Sequence, residues 1–196
     1  GVEAVGIITC PPLSCHWGNL FVPEGRAPLK PGETNPVVLQ RPASPGYFKA
    51  MGIRLLKGRL LEAQDVIPEP RAAVVNETFA RTFWPGEEDV TGKRFKNPGN
   101  PKAPWITVVG VVADVKHYGL ERPMRPGIYF PITAGRFGTM TVAIRTAGEP
   151  AAFTATARQT VRDLDAELPM YRVRTMEEAL RRSLAQRALY SWLLGI

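Results

Sequence analysis

Cysteine and histidine are scarce in this chain: two of each occur in 196 residues. That scarcity excludes a disulfide-dense scaffold and a zinc site built from cysteine alone. Cys10, Cys15 and His16 offer three soft ligands where a structural zinc site wants four, and the other histidine, His117, lies far along the chain. No metal site is expected. Long apolar runs are missing too. The apolar tail Leu189 to Ile196 falls well short of the roughly 20 residues that cross a bilayer. No charged leader precedes the apolar stretch Val2 to Ile8, so no signal peptide is read there. None of Ser14, Ser44, Ser183 and Ser191 lies in a Gly-x-Ser-x-Gly elbow. Asp114, Asp163 and Asp165 show no pairing suited to acid–base work.

The nearest approach to a phosphate loop, Gly86 to Arg94, fails three ways. Five residues rather than four separate Gly86 from Gly92. Arg94 stands where a magnesium-binding hydroxyl belongs, and Glu87, Glu88 and Asp89 would repel phosphate. No catalytic, cofactor-binding or metal-binding residue is therefore assigned, and no cofactor is expected.

What is present fits a folded globular chain. Hydrophobic residues make 44% and charged residues 22%, which excludes disorder and a collagen or membrane-bundle composition. The length suits one ordinary domain or two small ones. Proline, at 19 residues, is about twice its average usage, so many short elements and turns are expected. The formal charge is +7. Lys93, Arg94 and Lys96 form one basic cluster, and Arg172, Arg174, Arg181, Arg182 and Arg187 another. No nucleic-acid recognition signature accompanies them, and no nucleic acid is expected. Arginines ahead of an apolar C-terminal segment suit lipid headgroups at least as well. Cys10 and Cys15, across Pro11-Pro12, either bridge in an oxidising compartment or remain free thiols; the sequence leaves both open. Gly1 and the apolar tail read as the ends of a piece of a longer chain, against the alternative of a final amphipathic helix packed on the core.

Punctuation and periodicity give the elements. Residues 1–9 read as a strand, 10–36 as irregular, and 37–41 as a strand. Ser44 can cap and Pro45 can open a helix over 44–51, which Gly52 ends in the left-handed conformation. Strands follow at 53–56 and 72–75. Asn76, which also matches a glycosylation acceptor, is worth more as the cap of a helix that turns Phe79, Ala80 and Phe83 inward. Strands are expected at 93–96, 105–112, 127–132 and 139–145. The last has Met140, Val142 and Ile144 on one side. A helix over 151–164 carries an apolar stripe of Phe153, Ala157, Val161 and Leu164. After it come a strand at 170–174 and a capping box, Thr175 to Glu178, opening a final helix. Two strand–helix–strand stretches, 37–56 and 139–174, suggest a split-βαβ, ferredoxin-like layer. In it, strands 37–41, 53–56, 139–145 and 170–174 share one sheet and both helices lie on one face. Residues 66–134 then form an inserted β-rich lobe.

Particular residues carry a resemblance: Ser44-Pro45-Gly46-Tyr47-Phe48, Met51-Gly52-Ile53, Lys57-Gly58-Arg59, Asp65, Ala73-Val74-Val75-Asn76-Glu77, Phe83-Trp84-Pro85-Gly86, Gly92-Lys93-Arg94, Val108 to Val115, Ile128-Tyr129-Phe130-Pro131 and Leu168-Pro169. Their order and spacing over about 37–190 resemble the extracytoplasmic core domain of MacB-like ABC transporter permeases, most of all the large duplicated permeases common in acidobacteria. The resemblance implies an α+β fold with a porter-like lobe, 1–65 and 135–196, and an inserted sabre-like lobe, 66–134. It implies a place on the periplasmic side of the bacterial inner membrane, between two transmembrane helices of one permease. Its implied partners are those helices, a separate ATP-binding subunit or domain and a periplasmic adaptor, with a homodimer in the full transporter left open. The implied role is to relay ATP-driven motion and dock partners or substrate, with no chemistry of its own and so no enzyme. The alternative is an extracytoplasmic sensor that holds a small ligand or lipoprotein. An apolar groove between the lobes would favour that alternative.

Overall fold

In the computed structural model of the chain, all residues are described except 16, 27–32, 66–70, 101, 118, 120–121 and 195–196. The strands are β1 (Val2–Ile8), β2 (Gly18–Asn19), β3 (Val22–Pro23), β4 (Val38–Ala43), β5 (Leu55–Gly58), β6 (Ala72–Asn76), β7 (Arg94–Lys96), β8 (Ile106–Val112), β9 (Gly127–Pro131) and β10 (Thr141–Thr146). The helices are α1 (Gly46–Met51), α2 (Glu77–Phe83), α3 (Thr154–Leu164) and α4 (Met176–Leu194). One mixed sheet runs β10-β1-β4-β9-β6-β8-β7-β3, with β2 added on β4 and β5 on β8. The β4–β9 and β6–β8 pairs are parallel. The α+β class stands as expected.

The sheet holds more than the strands expected in it. β4, β5 and β10 share it as expected, but β4 pairs with β9 and β5 with β8, strands from 66–134. Hydrogen bonding therefore joins 1–65 to 66–134 within one sheet, while β10 enters that sheet through β1. Residues 170–174 form no strand. Arg172 there adopts φ 56°, a left-handed conformation that interrupts an extended ladder.

Two cores lie on the two faces of the sheet. On one, Phe79 and Phe83 of α2 pack against Phe21, Val75, Phe95, Val108 and Ile128. Their rings stack closely, with Phe79 and Phe83 centroids 4.5 Å apart and Phe21 edge-on to Phe95 at 5.4 Å. On the other, Tyr47 and Phe48 of α1 cover Ile8, Val74, Val112 and Tyr129. Each such side chain stabilises the fold by about 1.5–3 kcal/mol on burial. β4, β6 and β9 are buried at every position because both faces are covered.

Glycines set how closely α1 sits on β1. A Cβ at Gly6 would lie 2.2 Å from the Tyr47 Cα, and one at Gly46 would lie 2.1 Å from the Val5 carbonyl oxygen. Backbone meets backbone there, and only glycine fits. Ser44 does not cap α1 as expected. Its Oγ accepts from the Ile7 amide at 2.8 Å instead, tying β1 to the start of the helix. Gly52 does end α1, at φ 66°. Asn76 caps α2 through the Phe79 amide at 3.0 Å. The Asn76 Oδ1 also accepts from Gly127 N at 2.8 Å, and its Nδ2 donates to Arg125 O at 3.0 Å. The capping box forms as well: Glu178 N donates to Thr175 Oγ1 at 3.1 Å and Thr175 N to Glu178 Oε2 at 3.2 Å.

Candidate functional site

The antiparallel β5–β8 pair brings two connecting segments side by side. Residues 51–54 lead from α1 into β5, and residues 113–116 leave β8. The Ala113 amide donates to the Arg54 carbonyl at 2.9 Å and joins the two segments. Between them lies an open groove of about 460 Å³. Met51, Ile53, Ala113 and Val115 are half-buried along it, while Arg54 and Lys116 are exposed. Among the described residues the groove's one carboxylate, Asp114, is already held. It accepts from Thr78 N at 3.1 Å, Thr78 Oγ1 at 2.7 Å and Arg81 Nη2 at 3.0 Å. The Lys116 ammonium donates to the Arg122 carbonyl at 3.3 Å.

Beneath this surface sits a buried polar cluster. Arg41 is almost wholly enclosed, and its Nη1 donates to the Cys10 carbonyl at 3.4 Å. Burial pushes the Tyr129 phenol up to about 12, against the pull of the Arg41 charge. Burial, and then Tyr129, hold the Tyr47 phenol above the ordinary tyrosine range. A cavity beside Arg41 and His117 measures about 10 Å³, too small for any ligand larger than a water molecule.

Cys10 and Cys15 are joined by a disulfide with an S–S distance of 2.06 Å, which decides between the two open alternatives. The loop they close is held by Leu13 N, which donates to His117 O at 3.0 Å. His16 lies outside the described residues. Among the described residues no three His, Cys, Asp or Glu side chains group to hold a metal.

The segment from Gly86 to Arg94 is a turn leading into β7, and both of its cations are engaged by carboxylates. Lys93 meets Glu87 at 2.5 Å, Arg94 forks onto Glu24, and Asp89 accepts from Thr91 N at 2.9 Å. These hydrogen bonds from Thr91 hold the Asp89 carboxyl below its ordinary range. Asp163 accepts from Gln159 one turn earlier on α3, and Asp165 accepts from Glu167 N in the turn that follows. The Ser14 hydroxyl donates to Pro11 O.

Sequence reasoning missed two arrangements. Arg59 and Asp65, both among the residues of the resemblance, form a two-pronged ion pair at 2.7 and 2.8 Å. That pair, with the Glu62 amide, holds the Asp65 carboxyl below its ordinary range. The groove was also missed. Met51-Gly52-Ile53 and Asp114-Val115 stand in the resemblance, but only the long-range β5–β8 pairing puts them together.

The sequence profile described as the MacB-like periplasmic core domain matches residues 20–163. No curated protein matches the chain. Among solved structures, the periplasmic region of MacB from Actinobacillus actinomycetemcomitans is similar, with a TM-score of 0.55 and 19% identity, over 83% of this chain and 67% of that one. The extracellular domain of the noncanonic ABC-type transporter YknZ from Gram-positive bacteria aligns with a TM-score of 0.56 and 17% identity, over 89% of this chain and 82% of that one. At these identities the two structures speak to the fold.

Proposed function

The chain belongs to the MacB-like periplasmic core domain family, and from that premise we propose that it relays ATP-driven motion of its permease to the outside of the membrane and docks partners or substrate there. It is an extracytoplasmic domain of an ABC-type permease. The family match over residues 20–163 carries the reading. The turn at 86–94, whose two cations are engaged by Glu87 and Glu24, is in keeping with nucleotide binding elsewhere in the transporter. No helix among the described residues is long and apolar enough to cross a membrane. In this reading transmembrane helices of the same permease hold the domain on the periplasmic face of the inner membrane, and a separate ATP-binding subunit drives it. A periplasmic adaptor docks from outside, and two copies meet in the full transporter. The C-terminal part of the porter-like lobe, 135–196 after β10, shifts against a sheet body in which the other part of that lobe, 1–65, is joined to the sabre-like stretch, 66–134. The domain itself makes and breaks no bond.

The groove between residues 51–54 and 113–116 favours a second reading, a domain that also holds a ligand. It lies between 1–65 and 66–134.

Hydrogen exchange on the full permease in nanodiscs, with and without vanadate-trapped nucleotide, tests the relay. Exchange in residues 141–184 is expected to change on trapping. Identical exchange throughout the domain in both states would contradict the relay.

A further inference from the structure

We infer that the groove beside α1 is a binding site for an amphipathic anion, a single apolar chain carrying a carboxylate or similar head group. The inference deepens the ligand-holding reading and is independent of the relay. The groove volume, about 460 Å³, falls within the roughly 300–1,000 Å³ of small-molecule sites, which pair an apolar lining with a few placed polar groups. Met51, Ile53 and Val115 supply the apolar wall, each half-buried and open to the groove.

Among the described residues the exposed charges at the rim are cations. Arg54 and Lys116 are exposed on opposite segments. Arg145 adds a third cation at the α1 end. Its Nε donates to the Ala50 carbonyl at 3.0 Å, and its Nη2 lies beside Gly52, 2.9 Å from where a Cβ would stand. The carboxylate that could cancel them, Asp114, is held by Thr78 and Arg81 of α2.

The walls are braced before any ligand arrives. Ala113 N bonds Arg54 O at 2.9 Å and Ile53 N bonds Phe48 O at 2.8 Å, while Asp114 is anchored to α2. A braced site loses little freedom on binding. An apolar wall without the cations would suit a neutral chain, and cations without the wall would suit any acidic peptide. Both together select a molecule with a tail and an anionic head.

The test uses the 196-residue chain and dodecanoate below its micellar concentration. Amide and methyl NMR shifts are followed during titration, with dodecanol and a tetraglutamate peptide as controls. Saturable binding is expected, with shifts confined to residues 51–54, 113–116 and Arg145. Decanoate should bind at least about threefold more weakly, since each methylene removed forfeits buried apolar area. The double variant Arg54→Glu, Lys116→Glu should weaken dodecanoate at least tenfold while its melting temperature stays that of the parent. Binding mapped to another surface would overturn this site and leave the ligand-holding reading standing. Equal affinity for dodecanol, equal affinity for tetraglutamate, or no saturable binding would each overturn the inference.

Discussion

In the middle of the sheet, β4, β6 and β9 are buried at every position, whereas at its end β10 exposes Val142 and Ile144 and the helix after it buries no residue. β10 is the richer of the two in β-branched side chains, so composition alone would bury it more. Coverage decides instead. The middle is enclosed by α1 on one face and α2 on the other. At the end, α1 covers one face alone, and it covers the face with the small residues. Gly6 and Ala143 turn toward α1. The larger Val5, Val142 and Ile144 turn away and stay 50%, 51% and 39% exposed. A helix can approach a sheet to backbone contact only over small residues, so the apolar alternation of β10 marks the face α1 leaves bare.

The largest effect should come from breaking that close approach. Gly46→Val is expected to destabilise the chain by about 3 kcal/mol or more, at the upper end for overpacked sites, because the Val5 carbonyl stands where its Cβ must go. Urea denaturation measures it. A loss under about 1 kcal/mol would mean that α1 is not clamped.

The enclosed middle should also show itself at high pH. The folded pKa values of Tyr47 and Tyr129 lie above the unfolded value of 10.0, mainly through burial. The stability they contribute is full below pH 10 and falls as pH rises toward and through about 12. Tyrosinate absorbance should therefore resolve two of the five tyrosines that ionise only with unfolding. Smooth ionisation of all five in the folded chain would erase the contrast between middle and end.

Asp65→Asn should cost about 1–3 kcal/mol, the range for a broken charge-assisted hydrogen bond with a buried group. It removes the carboxylate that Arg59 grips at 2.7 and 2.8 Å. In the parent chain the folded Asp65 pKa is depressed, so this contribution is present above the unfolded value of 3.8 and is lost as pH falls below it. The variant should show a shallower decline in acid. An equally steep decline would place the acid sensitivity elsewhere.

At the bare end the expected effect is smallest. Val142→Thr should shift stability by no more than about 0.5 kcal/mol, as for other exposed positions. A loss beyond 2 kcal/mol would show that β10 is packed on both faces.

How much of this was legible in the sequence depended on range. Asn76 ahead of Glu77, Thr175 three residues before Glu178 and Gly52 after Met51 are local signals, and each one governs the element end it marks. Apolar runs located β6, β8 and β9 to within a residue or two. Strand partners were not legible. The parallel β4–β9 pair joins residues separated by most of the central chain, and no turn between them fixes a register. The groove inherits that difficulty, since it exists only once β5 lies against β8. At residues 170–174, alternation in Tyr171-Arg172-Val173-Arg174 promised a strand. The positive φ at Arg172 is a backbone event that side-chain pattern does not carry. Ser44 had the chemistry of a cap, but the neighbouring strand's Ile7 amide claimed it.

In the proposed relay, a clamped sheet body is driven through a less enclosed C-terminal region. Lys49 on α1 and Arg162 on α3 are both exposed, and spin labels at these positions would report on the two regions in the full permease. The account expects the distance distribution between them to shift between the nucleotide-free and vanadate-trapped states. Superimposable distributions in the two states, in a permease that still hydrolyses ATP, would contradict it.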